Sequence, residues 1–381
     1  MSLSAKIDSF VHPLLRKRIA KMFNAKLALC KKRRPDLFSP VDPELVRKYK
    51  ELWAPLGMPV VEDYLRFFCN ISGRPDYRYL PEDIFIGRIE RILNDCNRAT
   101  GEAEDKNQYS LFIDPKYQPR FVLRFMRGQF FDDEYNFLTD SQAANILAHD
   151  QGDLIGKVSV DSGGGHGIKG FFFANGEYKD KTGFKLTVDW IRANFIGYVL
   201  QERISQCDFS AQFNPSSANT CRIITYRCPW DGRTLITKAG MRFGASKEVY
   251  DNLSSGGVCV SLGPNGELSP FGRDWYKLHV FTKHPTSGIE FGGLVHPFYR
   301  QMEELSCKFA AKMPNFNLIS WDMVADREGV VKILEINLTK EGSDWEQYDF
   351  GPFFGDLTEK TVEWCVANSK YDSFRHIRPW Y

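Results

Sequence analysis

The nine cysteines are scattered along 381 residues, with no Cys-x-x-Cys pair and no Cys/His cluster at zinc spacing. That excludes a structural zinc site of the usual kinds and argues against a disulfide-stapled scaffold. No apolar run approaches the length of a membrane span. The opening MSLSAKIDSFVHPLLRKRIAKMF has neither an apolar core nor a cleavage site, so no secretory signal is read there. The expectation is a cytoplasmic protein with reduced thiols. Neither charge dominates, with 50 Lys+Arg against 48 Asp+Glu, and a globally basic nucleic-acid binder is not indicated. No internal repeat, no low-complexity segment and no Ser/His/Asp or Cys/His catalytic constellation is evident. What remains is a chain long enough for two or three lobes, 43% hydrophobic, as soluble globular proteins are.

The most informative stretch is Leu318–Asn337, LISWDMVADREGVVKILEIN. Ile319, Trp321 and Met323 alternate along a first strand, and Val330 to Ile336 reads as a second. Glu328-Gly329 suits a two-residue hairpin loop, with glycine supplying positive φ. Pairing Arg327 with Val330 then sets Asp322 opposite Glu335, with Asn337 two residues on and on the same face. Three hard oxygen donors on one surface suit Mg²⁺ that keeps waters and bridges phosphates. The alternative is a hairpin with a solvated polar face.

Residues 8 to about 95 read as helical. Phe10, Leu14, Leu15, Ile19, Met22 and Phe23 recur at helical spacing opposite a face rich in Arg and Lys. Such a helix either packs on its own core or rests peripherally on an anionic membrane surface. Asp42 caps a second helix from Pro43, a third covers 60–71, and Pro81 opens another ending near Asp95. NRATGEAEDKNQ is a polar loop. Thr139 or Asp140 opens a short helix to His149, residues 187–199 form another, and Tyr299 to Lys312 a third. Asp356 with Glu359 predicts a capping box for the last helix.

Asp161-Ser-Gly-Gly-Gly-His-Gly167 lies between a strand carrying Lys157 and a second strand at Gly170–Phe173. Ser162, Gly163, Gly164 and Gly165 leave backbone N–H groups able to cradle a phosphate. No Lys-Ser/Thr follows and no helix opens there, so neither a P-loop nor a dinucleotide fingerprint fits. A flap that closes over a triphosphate does, with Lys157 as a point charge; a plain hairpin loop is the alternative. Gln201, Glu202 and Ile204 lie on a strand whose free edge could bond adenine. Arg222 and Arg242, in strand-like sequence, suit a bidentate grip on phosphoryl or carboxylate oxygens, or else a salt bridge within the sheet.

The order of these pieces resembles the ATP-grasp superfamily, and more narrowly the sugar-transfer-associated ATP-grasp proteins. The matching stretches include Lys157-Val-Ser with Asp161–Gly167, Gln201-Glu202 with Gln206, Asn214–Arg222, Met241–Gly244, Asp251-Asn252, Trp321-Asp322, Glu335-Ile-Asn337 and Gly351–Asp356. Val158 departs from the proline usual there, and His166 from a small or basic residue. The resemblance implies an α+β ATP-grasp fold, two α+β lobes gripping ATP, behind a helical N-terminal region. The helical region spans 1–95 and the ATP-grasp domain 96–381, with a lid lobe at about 140–205 and a metal-binding lobe at about 206–355. It implies ATP and Mg²⁺ as cofactors. Lys157 and a second lysine, matched to Lys116, would contact phosphates, and Glu202 with its neighbouring backbone would hold adenine or ribose. Asp322, Glu335 and Asn337 would hold Mg²⁺, and Arg242 and Arg222 would face the transferring phosphoryl group. Asn219, Thr220, Asp251 and Asn252 would line the acceptor site.

Such proteins activate a carboxylate as an acyl phosphate for attack by an amine. The partners implied are a small-molecule carboxylate and an amine, possibly sugar-linked, with no nucleic acid. A kinase acting on a small-molecule or sugar acceptor, or a nucleotide-binding scaffold in glycan assembly without turnover, are the alternatives.

Overall fold

The computed structural model describes residues 3–96, 99–160, 167–245, 257–274, 277–339 and 342–372. Two seven-stranded sheets dominate it. The first is built from β1 (Phe121–Met126), β2 (Gln129–Phe131), β3 (Phe137–Leu138), β4 (Leu154–Val158), β5 (Lys169–Ala174), β6 (Glu177–Lys179) and β7 (Gly197–Glu202). The second contains β8 (Thr220–Arg227), β9 (Thr234–Phe243), β10 (Val258–Leu262), β11 (Leu268–Arg273), β12 (Val280–Phe281), β13 (Leu318–Ala325) and β14 (Val331–Asn337). Their spatial orders are β3-β2-β1-β7-β4-β5-β6 and β12-β11-β10-β9-β8-β13-β14.

Alternation along the strands of the second sheet separates its faces. Cys221, Ile223, Met241, Trp321 and Met323 pack with Met302, Leu305 and Phe309 of the helix Tyr299–Ala310. Burying each large apolar side chain there contributes about 1.5–3 kcal/mol. Asp322 and Arg222 alternate onto the other face. Part of that face looks into the cleft between the sheets. The rest packs through Ile224 and Tyr226 on the N-terminal helices and on Trp345, Tyr348, Phe353 and Phe354. The first sheet packs against Ala143, Leu147 and Ile191 of the helices Asp140–His149 and Val188–Asn194.

The N-terminal helices run Leu3–Arg33, Pro43–Trp53 and Glu62–Ser72. Asp42 accepts from the Glu44 N–H, as its capping position predicts. Part of the basic face is ion-paired: Arg16 to Asp372, Lys31 to Asp63, and Lys26 to both Glu82 and Asp344. No helix among the described residues is long and apolar enough to cross a membrane.

Several local expectations are corrected. The helix expected over 187–199 ends at Asn194, because Gly197–Glu202 is drawn into the centre of the first sheet. Strand β7 therefore has no free edge; β1 and β4 flank it. The polar loop contains helical turns at Thr100–Ala103 and Lys106–Leu111. Asp356 and Glu359 make no capping box. Both carboxylates turn to the N-terminal region, Asp356 accepting from Arg78 and Glu359 from the Tyr77 hydroxyl.

Candidate active site in the cleft between the sheets

Strands β13 and β14 form the predicted hairpin, with a different turn. Ala325 pairs with Val331, and the Asp326 N–H donates to the Val330 carbonyl at 2.9 Å. The loop is thus Arg327–Gly329, three residues rather than two. Gly329 has φ +79°, a conformation few residues with a Cβ adopt. That loop alone would set Leu334 opposite Asp322. An irregularity between Asp322 and Met323 shifts the register by one, and Glu335 comes to lie opposite Asp322 and Asn337 opposite Ser320. A β-bulge has this effect, since one unpaired residue exchanges the two faces from that point on.

Asp322 is buried. Arg222 Nε donates to its Oδ1 at 2.8 Å and Arg222 Nη2 to its Oδ2 at 2.9 Å. Arg242 Nη2 reaches the same Oδ2 at 2.9 Å, while Arg242 Nε and Nη2 donate to the Thr220 hydroxyl at 3.0 and 2.9 Å. Burial opposes ionisation, but the two guanidiniums outweigh it and hold the Asp322 carboxyl below its usual range. Glu335 Oε1 lies 2.9 Å from the Nζ of buried Lys106. Lys157, also buried, points its amine at the Leu334 carbonyl, 3.5 Å away. Burial first, and repulsion from Lys106 second, pull its pKa down to about 8 against the attraction of Glu335 and Asp322.

These groups line a cleft of about 480 Å³ that includes Lys106, Lys157, Thr220, Arg242, Asp322 and Glu335. Gln201, Glu202 and Ile204 also line it, as do Leu334 and Arg327. The Glu202 and Arg203 N–H groups are already bonded, to the carbonyls of Arg120 and Asp153 at 2.9 and 2.8 Å. Arg222 does not line the cleft; its fork is spent on Asp322 from behind.

Lys116 lies outside the cleft, exposed, with its amine over the Tyr117 ring. Lys106, rather than Lys116, lines the cleft beside Lys157. Its backbone N–H bonds the Ser159 carbonyl at 2.9 Å, just past the strand that carries Lys157. Read as part of a polar loop, it carried no local signal of burial. Asn219 is also not at the cleft. Its amide donates to the Ser210 and Asn214 carbonyls and its oxygen accepts from Ser217 and the Gly244 N–H, so it holds the 206–219 loop together. Ser162, Gly163, Gly164, Gly165, Asp251 and Asn252 lie outside the described residues.

Two hard oxygen donors of the cleft fit a Mg²⁺ ion: Asp322 keeps lone-pair capacity beyond its three arginine contacts, and Glu335 has a second oxygen. Asn337 stands on the same strand, two residues beyond Glu335.

A family model described as sugar-transfer associated ATP-grasp matches residues 149–346, more than half of the chain. The chain belongs to this ATP-grasp family. The match covers Lys157, the Gln201–Ile204 segment, both arginines and the Asp322/Glu335/Asn337 hairpin of this ATP-grasp protein, and stops short of Lys106 on one side and the Gly351–Gly355 stretch on the other. No curated protein matches the chain. Among solved structures, an N5-carboxyaminoimidazole ribonucleotide synthetase in its ADP complex is 10% identical over 65% of this chain and 50% of its own, with a TM-score of 0.38. D-alanyl-alanine synthetase A from Vibrio cholerae is 13% identical over 70% of this chain and 65% of its own, at 0.36. A biotin carboxylase complex from Campylobacter jejuni is 9% identical over 69% of this chain and 46% of its own, at 0.40. The chain thus spans less than two thirds of the length of each.

Proposed function

We propose that this protein is an ATP-dependent carboxylate–amine ligase that works through an acyl phosphate, modifying a sugar or a polysaccharide precursor. The observation that carries the reading is the convergence of Lys106, Lys157 and Arg242 with Asp322 and Glu335 in one cleft between two sheets. Phosphoryl transfer asks little covalent help of a protein; it needs positioning and cationic groups where charge redistributes. Lys106 and Lys157 approach from the side of the first sheet, and Arg242 from the second. Asp322, Glu335 and Asn337 would hold Mg²⁺, which when bound neutralises charge on the phosphates. Arg242, steadied by Thr220, is placed to grip the transferring group, and Arg222 keeps Asp322 ionised and oriented. Two sheets closing on the cleft exclude water from an intermediate that water would destroy. The carboxylate-to-amine direction and the sugar link rest on the family.

The test is ADP release, screened with amino acids paired with uronic acids and nucleotide sugars. A ligase forms ADP and free phosphate only when carboxylate and amine are both present. Phosphate retained on a product would identify a kinase instead, and no turnover with any pair would overturn the reading.

A further inference from the structure

Strand β9 carries Lys238, Gly240 and Arg242 on one face. Arg242 opens on the cleft, and Lys238 opens on a second cavity of about 440 Å³. Between them the Trp345 ring lies against Gly240, an approach that any Cβ would block. Lys238 is more than nine-tenths buried. Its amine donates to the Phe350 and Gly351 carbonyls at 3.1 and 2.9 Å, two neutral acceptors, which leaves one of its three N–H groups unspent on them. Glu346, whose charge attracts it, makes no hydrogen bond to it among the described residues. Burial first pulls the amine's pKa down to about 8, with Arg74 adding repulsion against the attraction of Glu346. A buried ammonium without a counter-ion is costly.

Three cations line this cavity, Arg74, Arg78 and Lys238, against one acid, Asp76. Asp76 is spent on Arg78 at 2.8 Å, and Arg78 also reaches Asp356 at 2.5 Å. Arg74 is exposed and has no ion pair among the described residues. Pro75, Phe350 and Phe353 supply apolar walls. The segment that closes it, Gly351–Gly355, was singled out by sequence and has no part in the cleft.

We propose that this cavity is a second ligand site, separate from the cleft, for a small organic anion: a carboxylate or a phosphate carried on a compact ring. Lys238 and Arg74 would take the anionic group, and the aromatic and proline walls the ring face.

The experiment titrates the full chain calorimetrically with glucuronate, glucose 6-phosphate and inorganic phosphate, with glucose as the neutral control. At least one ring anion should bind, and glucose should not; the first two probes decide between carboxylate and phosphate. Lys238→Met should weaken binding about tenfold or more, as loss of a charge-assisted hydrogen bond does. Arg74→Glu, at an exposed position that folding does not depend on, should abolish it, so the proposal remains testable even if Lys238→Met does not fold. Arg242→Ala should leave it unchanged. Failure of every anion to bind, or binding lost with Arg242→Ala and kept in Arg74→Glu, would overturn the proposal.

Discussion

Arg222 and Arg242 both reach Asp322, yet only Arg242 lines the cleft. Arg222 spends its fork on the carboxylate, whereas Arg242 bonds Thr220 and Asp322 through Nε and Nη2 and itself lines the cleft. Contacts that strengthen only in the transition state lower kcat when lost and spare ground-state affinity. Arg242→Ala should therefore lower turnover about 10²-fold or more, the usual loss for one charge-stabilising donor. ATP affinity should change severalfold at most, and Arg242→Lys, which keeps charge but not the fork, should not rescue fully. Parallel kcat measurement and nucleotide titration check this; affinity lost in step with rate would make Arg242 an ion-pair partner only. The two lysines give a second contrast. Lys106→Ala removes a cation that lines the cleft and leaves Glu335 without its 2.9 Å partner, so nucleotide affinity should fall about tenfold or more. Lys116→Ala should leave that affinity unchanged, since its amine lies over Tyr117, outside the cleft. The sequence order makes Lys116, in Asp-Pro-Lys, the more visible residue. Nothing within a few positions of Lys106 announces that it is buried, because its partner Glu335 lies in the last strand of the second sheet.

At the scale of elements, the hairpin shows how a correct strand pairing can follow from an incorrect turn. Alternation of Ile319, Trp321 and Met323 marks the core face directly, and those three are buried. The pairing of Asp322 with Glu335 was legible only because two features cancel: a three-residue loop moves the register one way and the irregularity beside Leu334 moves it back. Bulges answer to packing and twist, which local pattern does not record. Here the bulge has a use, since the Leu334 carbonyl faces Lys157 and its side chain walls the cleft. The loop's own requirement is testable. A Cβ on Gly329 would be strained by the left-handed conformation the residue already holds and would lie 3.0 Å from the Phe298 ring. Gly329→Ala should lower stability by about 1–2 kcal/mol, read as a shifted denaturation midpoint with unchanged slope. An unchanged midpoint would mean that the loop relaxes to another turn. Strand β7 was less legible for a related reason. Gln201 and Glu202 were recognised, but whether β7 is an edge depends on β1, which lies far earlier in the chain.

At the scale of the molecule, the N-terminal helices are bound to the C-terminal segment by buried charge, and this makes stability depend on pH. Arg16 and Arg88 meet at Asp372, and Lys26 bridges Glu82 and Asp344, joining residues from opposite ends of the chain. Sequence shows the basic face but not these partners, which only folding brings together. Asp83 sits in the same region without a cation. It is fully buried, and its Oδ1 accepts from the Ile84 N–H at 2.9 Å. Burial is the main influence on it and raises its carboxyl to about 6, with hydrogen bonding offsetting only part. In the unfolded chain the same group loses its proton near the ordinary value of 3.8. Between those values the native state holds a proton that the unfolded state has released. The favourable contribution is thus complete below pH 3.8 and is lost as pH rises through about 6. The difference amounts to roughly 3 kcal/mol at full ionisation. Asp83→Asn keeps the shape and removes the titration. Relative to wild type it should be more stable at pH 8, by up to that amount, and the advantage should shrink towards zero near pH 4. Denaturant midpoints of both proteins across that range decide it. A constant difference at every pH would mean that Asp83 is not titrating, and a variant less stable at pH 8 would mean that the ionised carboxylate has a partner strong enough to offset its burial.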